Sequence, residues 1–223
     1  MEQELTNITT TILTIDSKIT AALIAAGISA LLGAFSIYQY FDQKRVKRKE
    51  DRKKFIEQQL NEFYGPLSYY INTSKALYTV FKSNKPKELR LLTHLLDPKR
   101  VYLDGKKVIL NDSDDKLILK IIGLSEEIEK LIYLKGSLVD DVELTHKYER
   151  NDFKKFTDTE IREIGLFARM LAHFNIVKMA YNKEITNNHF TAEDLKDFVY
   201  PEDINDKITI NITNLQKELK KFK

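Results

Sequence analysis

The feature that most constrains this chain is a run of 23 residues without a formal charge, Ile19 to Phe41, bounded by Lys18 and Asp42. At about 1.5 Å per residue, an α-helix of this length crosses the roughly 30 Å hydrocarbon core of a bilayer. Tyr38, Tyr40 and Phe41 stand at its C-terminal end, where aromatic rings prefer the membrane interface. A signal peptide would carry its positive charge before a shorter apolar core. A helix in a soluble core would be apolar along one stripe, whereas this one is apolar all round. The run predicts a single membrane-spanning helix.

Its flanks predict an orientation. Lys44, Arg45, Lys47, Arg48, Lys49, Arg52, Lys53 and Lys54 follow directly, whereas Lys18 stands alone on the other side near Glu2, Glu4 and Asp16. Positive charge stays on the cytoplasmic side, so the expectation is N-terminus out and C-terminus in, across a bacterial inner membrane. The basic block carries +6 from Lys44 to Lys54 and the whole chain +3, which leaves the remainder at −3. The folded part is therefore not a general nucleic-acid binder. The block reads first as a topology determinant and a contact for anionic lipid headgroups. Two further readings stay open: an oligonucleotide site, or a ring at the inner mouth of a pore.

At 100° per residue, Ala22, Ala25, Ala26, Ser29, Gly33 and Ser36 gather on one face of the span, and Leu23, Ile24, Ile28, Leu31 and Phe35 on the other. Small residues let helix backbones approach closely, which predicts self-association through that face. Upstream, Leu5, Ile8, Ile12 and Ile15 recur at helical spacing, so residues 1–18 form a short extracytoplasmic segment that extends the helix or lies on the membrane.

Beyond the span the chain is poor in glycine (7) and proline (4), which predicts a mainly helical fold. Residues 42–64 read as a basic juxtamembrane helix and 65–223 as a cytoplasmic antiparallel bundle. Ile56, Leu60, Phe63, Leu67, Tyr70, Leu77 and Phe81 form an apolar stripe, with Gly65-Pro66 as a hinge that should kink it. Pro86 can open a helix running through Leu96. Val101 to Leu110, with Asp104-Gly105 at its centre, predicts a small β-hairpin. Ser113 should cap a helix through Leu134, and Thr157 with Glu160 forms a capping box for a helix through Val177. Thr191 with Asp194 opens a short helix ending near Tyr200-Pro201, and a last helix starts near Glu202.

No catalytic motif is present. Cysteine is absent, which removes disulfides, thiolate metal sites and cysteine nucleophiles. His94, His146, His173 and His189 show no metal-ligand spacing, and His173 reads as a core or interface residue. Asp114-Asp115, Glu126-Glu127 and Asp140-Asp141 are sequence neighbours that point about 100° apart on a helix, so they read as solvated or first-turn charge. The expectation is no enzyme, no cofactor and no metal.

The span, the basic extension and the segment Leu60-Asn61-Glu62-Phe63-Tyr64-Gly65-Pro66-Leu67 resemble a loose class of small single-pass bacterial membrane proteins found beside anti-phage defence genes. The resemblance implies an oligomeric membrane effector, held in check or triggered by a nucleotide signal. The expectation drawn from residues and resemblance together is a homo-oligomer in which the bundle receives a signal or protein partner and the span acts as a channel or membrane disruptor. A membrane-tethered scaffold or adaptor is the alternative, and a membrane-anchored oligonucleotide-binding protein a second.

Overall fold

The computed structural model describes residues 2–102, 105, 107–145, 165–187, 190 and 199–222. The chain divides into two compact units, Met1–Lys54 and Phe55–Lys223. The described residues of the first are all helical and belong to α1, Glu2–Gln58. Every residue from Ile19 to Asp51 is exposed, so the uncharged run buries no side against its own chain. Among the described residues this is the one helix long and apolar enough to cross a membrane. At the end of the run, the Tyr40 and Phe41 rings meet edge to face at 5.7 Å. The Lys44 ammonium lies over the Tyr40 ring at 5.8 Å from its centre, a cation–π contact.

The second unit is a helical bundle. After a π-helical turn, Gln59–Tyr64, come α2 (Gly65–Lys82), α3 (Leu91–Leu96), α4 (Asp112–Lys135), a 3-10 turn (Gly136–Leu138), α5 (Val142–Thr145), α6 (Leu166–Tyr181) and α7 (Asp203–Lys220). The principal core joins Phe63, Tyr64, Leu67 and Ile71 to Ile128 of α4, Phe167 and Met170 of α6, and Ile204 and Ile208 of α7. A second cluster gathers Phe81, Leu89, Leu91, Tyr102, Ile118, Ile122 and Val177. Apolar residues at helical spacing on α2, α4 and α6 thus face one interior, as amphipathic helices must to remove that area from water.

α4 begins at a reciprocal cap. The Asn111 side chain accepts from the Ser113 and Asp114 amides at 2.9 and 3.0 Å, and the Asp114 carboxylate accepts from the Asn111 amide at 3.1 Å. The cap is therefore Asn111, not Ser113. α3 starts at Leu91 rather than in the turn of Pro86. The Leu89 amide donates to the Pro86 carbonyl at 3.1 Å, and Leu89 is fully buried in non-helical chain. Burial of that side chain outweighs the preference of proline for a first helical turn.

The expected β-hairpin is absent: the described residues contain no strand. Between Val101 and Leu110 there is one antiparallel bridge, Val101 to Lys107. The Gly105 amide donates to the Tyr102 carbonyl at 2.8 Å, and Gly105 stands at φ +72°. A lone pair of strands is marginal without a third strand or a face to cover. Here the core takes Tyr102, with Val108 and Leu110 packed against it, and their packing decides the backbone path. Thr157, Glu160, Thr191, Asp194, His146 and His189 lie outside the described residues. The last helix runs Asp203–Lys220, close to where its pattern placed it.

Candidate functional site

Two groups of residues singled out in the sequence lie in the first unit. Ala22, Ala25, Ala26, Ser29, Gly33 and Ser36 are all exposed. A methyl group built on Gly33 would meet nothing within 4 Å. The Ser36 hydroxyl donates to the Leu32 carbonyl of its own helix at 2.9 Å, which satisfies its donor without a partner helix. The basic residues Lys44, Arg45, Lys47, Arg48, Lys49, Lys53 and Lys54 are exposed, and Arg52 is partly covered.

The most unusual geometry lies in the second unit, where Gly65 and Pro66 were expected to kink the helix. The structure shows a π-turn, Gln59–Tyr64, directly before them. The Gly65 amide donates to the Leu60 carbonyl, five residues back rather than four. A Cβ on Gly65 would sit 2.8 Å from that oxygen, so the turn requires glycine at this position. Pro66 has no amide hydrogen, and within an unbroken α-helix its ring would crowd the Glu62 carbonyl, at a cost of about 3 kcal/mol. The wider turn relieves that crowding.

The turn places a polar side chain inside the bundle. Gln59 is 2% exposed. Its amide nitrogen donates to the Leu138 carbonyl at 2.6 Å and to Asp140 at 3.3 Å. Both partners are acceptors, which fixes the orientation of the amide. Its Oε1 is buried without a hydrogen-bond partner. An unsatisfied buried acceptor costs about 1–3 kcal/mol.

Beside Gln59, a chain of polar contacts ties the turn to α5 and α7. Asn211 donates to the Tyr64 hydroxyl at 3.4 Å and to Asp141 at 2.8 Å. Lys207 lies 3.3 Å from Asp141 and 2.6 Å from Glu143. Burial pushes the Tyr64 hydroxyl up to about 12, with the Asn211 bond opposing it and the charges of Asp141 and Asp140 adding to it. Burial alone would raise Asp141, but bonds from Asn211 and Lys207, the Lys207 charge and the Glu143 amide hold it below its ordinary value. At neutral pH the phenol stays neutral and the carboxylate charged. The network positions helices; neither group is poised to exchange protons.

A second polar pair lies among the residues of the other cluster. Lys85 and Asp114 are 2.6 Å apart with side chains only 5% and 7% exposed. The Lys85 ammonium also lies 4.7 Å from the centre of the Phe81 ring. Asp114, expected as solvated or first-turn charge, is first-turn charge that has been buried. Burial raises its carboxyl, and bonds from Lys85 and the Asn111 amide, with the Lys85 charge, reverse this and hold it below its ordinary value. Gln59, Lys85, Asp141, Lys207 and Asn211 carry no motif. Only Asn111-x-x-Asp114, which has the spacing of a cap, offered a local signal for any part of these networks, although the cap expected from the sequence was Ser113.

His94 is buried and its Nδ1 lies 3.1 Å from the Tyr102 hydroxyl. Burial lowers its pKa, Asp97 opposes the shift and Lys85 adds to it. The unfolded chain therefore binds this proton first as pH falls below about 6.5. Stability is complete above that pH and declines as pH falls through the lower folded value. The melting temperature should drop as pH falls below about 6.5, and His94→Gln should flatten that slope. An unchanged slope in the variant would show that another group is responsible. His173, on α6, packs its ring edge-on against Tyr200 at 5.9 Å.

No group of three or more metal-ligating side chains occurs among the described residues. Comparison with protein-family models, with curated proteins and with solved structures gives no match.

Proposed function

We propose that this chain is a self-associating single-pass membrane effector, in which a helical bundle receives a signal or partner and the span acts on the bilayer. The observation that carries this reading is an uncharged 23-residue run on a helix exposed on every side, with its small residues on one face. Such a surface favours lipid or another membrane helix over water. The basic block after it supports a cytoplasmic bundle through the positive-inside rule. Its charge also suits anionic lipid headgroups. The resemblance to membrane proteins of anti-phage defence loci supports the effector role, with a nucleotide or a protein as the signal.

The full-length chain purified in mild detergent should be an oligomer by mass photometry. Gly33→Leu should weaken that assembly, because a branched side chain would hold the backbones apart at the small face. A monomeric parent, or an assembly untouched by Gly33→Leu, would remove the reading. Replacing Ile19–Phe41 by a poly-leucine span separates effector from scaffold. A scaffold would keep its function in that chimera and an effector would lose it.

A further inference from the structure

We propose that the π-turn Gln59–Tyr64 is a register switch, in which the turn relaxes to α-helix and Leu60 takes the buried place that Gln59 holds.

The argument begins with a mismatch between pattern and packing. Ile56, Leu60, Phe63, Leu67 and Tyr70 follow one another at steps of four, three, four and three. An unbroken α-helix would line all five along one face. In the structure the buried positions are instead Ile56, Gln59, Phe63, Tyr64, Leu67 and Ile71, and Leu60 is only half-buried. The extra residue accommodated by the π-turn has brought a glutamine into the core where the apolar spacing offers a leucine. The partnerless Oε1 of Gln59 is the physical mark of that mismatch.

Other features hold the π register. Gly65 alone permits the close approach of the Leu60 carbonyl, and Pro66 opposes the α register through the Glu62 carbonyl. The Leu138 carbonyl and Asp140 hold the Gln59 amide in place. Each register thus carries a misfit: an unsatisfied amide oxygen in one, and in the other a crowded proline with Glu57 carried to the place of buried Ile56. An element balanced in this way responds to modest bias. A partner that drew the Leu138–Asp141 segment away would strip the Gln59 amide of both its acceptors and favour the exchange. The change amounts to one residue of helix, a turn of about 100° and a shift of about 1.5 Å for residues 55–58. Those residues are the last four of α1, Glu2–Gln58, the helix that also carries Ile19–Phe41.

The absence of cysteine makes the test clean. Gln59→Cys and Leu60→Cys, placed singly in the full-length chain in detergent, report burial by their rates of thiol labelling. In the parent, the thiol at position 60 should label faster than that at 59. Pro66→Ala removes the obstacle to the α register, and Gly65→Ala obstructs the π register. Each should reverse the order, changing the rate ratio by on the order of tenfold or more, while helical content and cooperative unfolding are kept. The reporters are common to every background, so a change in ratio belongs to residue 65 or 66. If position 59 stays protected in both variants, the turn is a fixed structural feature and the proposal is wrong. If both variants lose cooperative unfolding, no second folded register exists and the proposal is equally wrong.

Discussion

Phe63→Ala should destabilise the bundle by about 3–5 kcal/mol, the range for deleting a fully buried aromatic side chain. Phe63 has no exposed surface and lies in the largest core cluster. Its ring meets Tyr64 edge-on at 5.2 Å and Phe167 at 5.7 Å, so truncation removes two ring pairs together with the buried area. The cavity would open beside the π-turn, between α4, α6 and α7, where packed helices on every side resist collapse. Urea unfolding of the full-length chain in detergent, followed by circular dichroism, should show the midpoint fall with little change in slope. A loss below about 1 kcal/mol would mean that this region repacks freely and is not the core described above.

Lys85→Met should cost a comparable amount for an electrostatic reason. It would leave the Asp114 carboxylate buried without its cation, and breaking one side of a buried pair typically costs about 3–5 kcal/mol. Asp114 keeps its bond from the Asn111 amide, which moderates the loss. The double variant Lys85→Met with Asp114→Leu should regain part of the stability, because it removes both charges from the interior. It would not regain all, since Asp114 also serves in the cap of α4. Thermal melts of the four chains form a double-mutant cycle, and additive losses would refute the coupling. The pH dependence has a definite sign. Asp114 and Asp141 are held below their ordinary value, so their contribution is present above about pH 4 and is lost as pH falls through the lower folded values. By contrast, Lys135–Glu62 and Lys178–Glu126 are largely exposed pairs and add little.

Much of the helical architecture can be read from one-dimensional spacing. α4, α6 and α7 coincide with stretches where apolar residues recur every three or four positions, because one buried stripe is enough to define a helix in a bundle. The errors fall where a local preference met a tertiary demand. Pro86 favours a helix start, yet Leu89 is drawn into the core and α3 begins later. Val101–Leu110 reads as two short apolar segments about Asp104-Gly105, but no third strand or partner sheet among the described residues supports a ladder.

The polar residues of the candidate site were almost invisible for a related reason. Lys85 and Asp114 stand 29 residues apart, and Asn211 and Asp141 stand 70 apart. Pairing across such distances leaves no local periodicity, and a charged residue in a helical sequence looks the same whether it faces solvent or a partner. Gln59 is the sharpest case. Its burial depends on a single extra residue of helix, which reassigns the inward face from Leu60 to its neighbour.

The uncharged run from Ile19 to Phe41 needs no tertiary structure for its interpretation. Length and hydrophobicity are sums over neighbouring residues, and by both the run is long and apolar enough to cross a membrane. The π-turn at Gln59–Tyr64 is the opposite kind of feature. Gly65 and Pro66 led to the expectation of a hinge that kinks the helix. Whether the disturbance became a kink or a wider turn depended on what Leu138, Asp140 and the packed faces of α4, α6 and α7 would accept against it. That is a balance of a few kcal/mol among contacts distant in sequence, and only the folded bundle sets it.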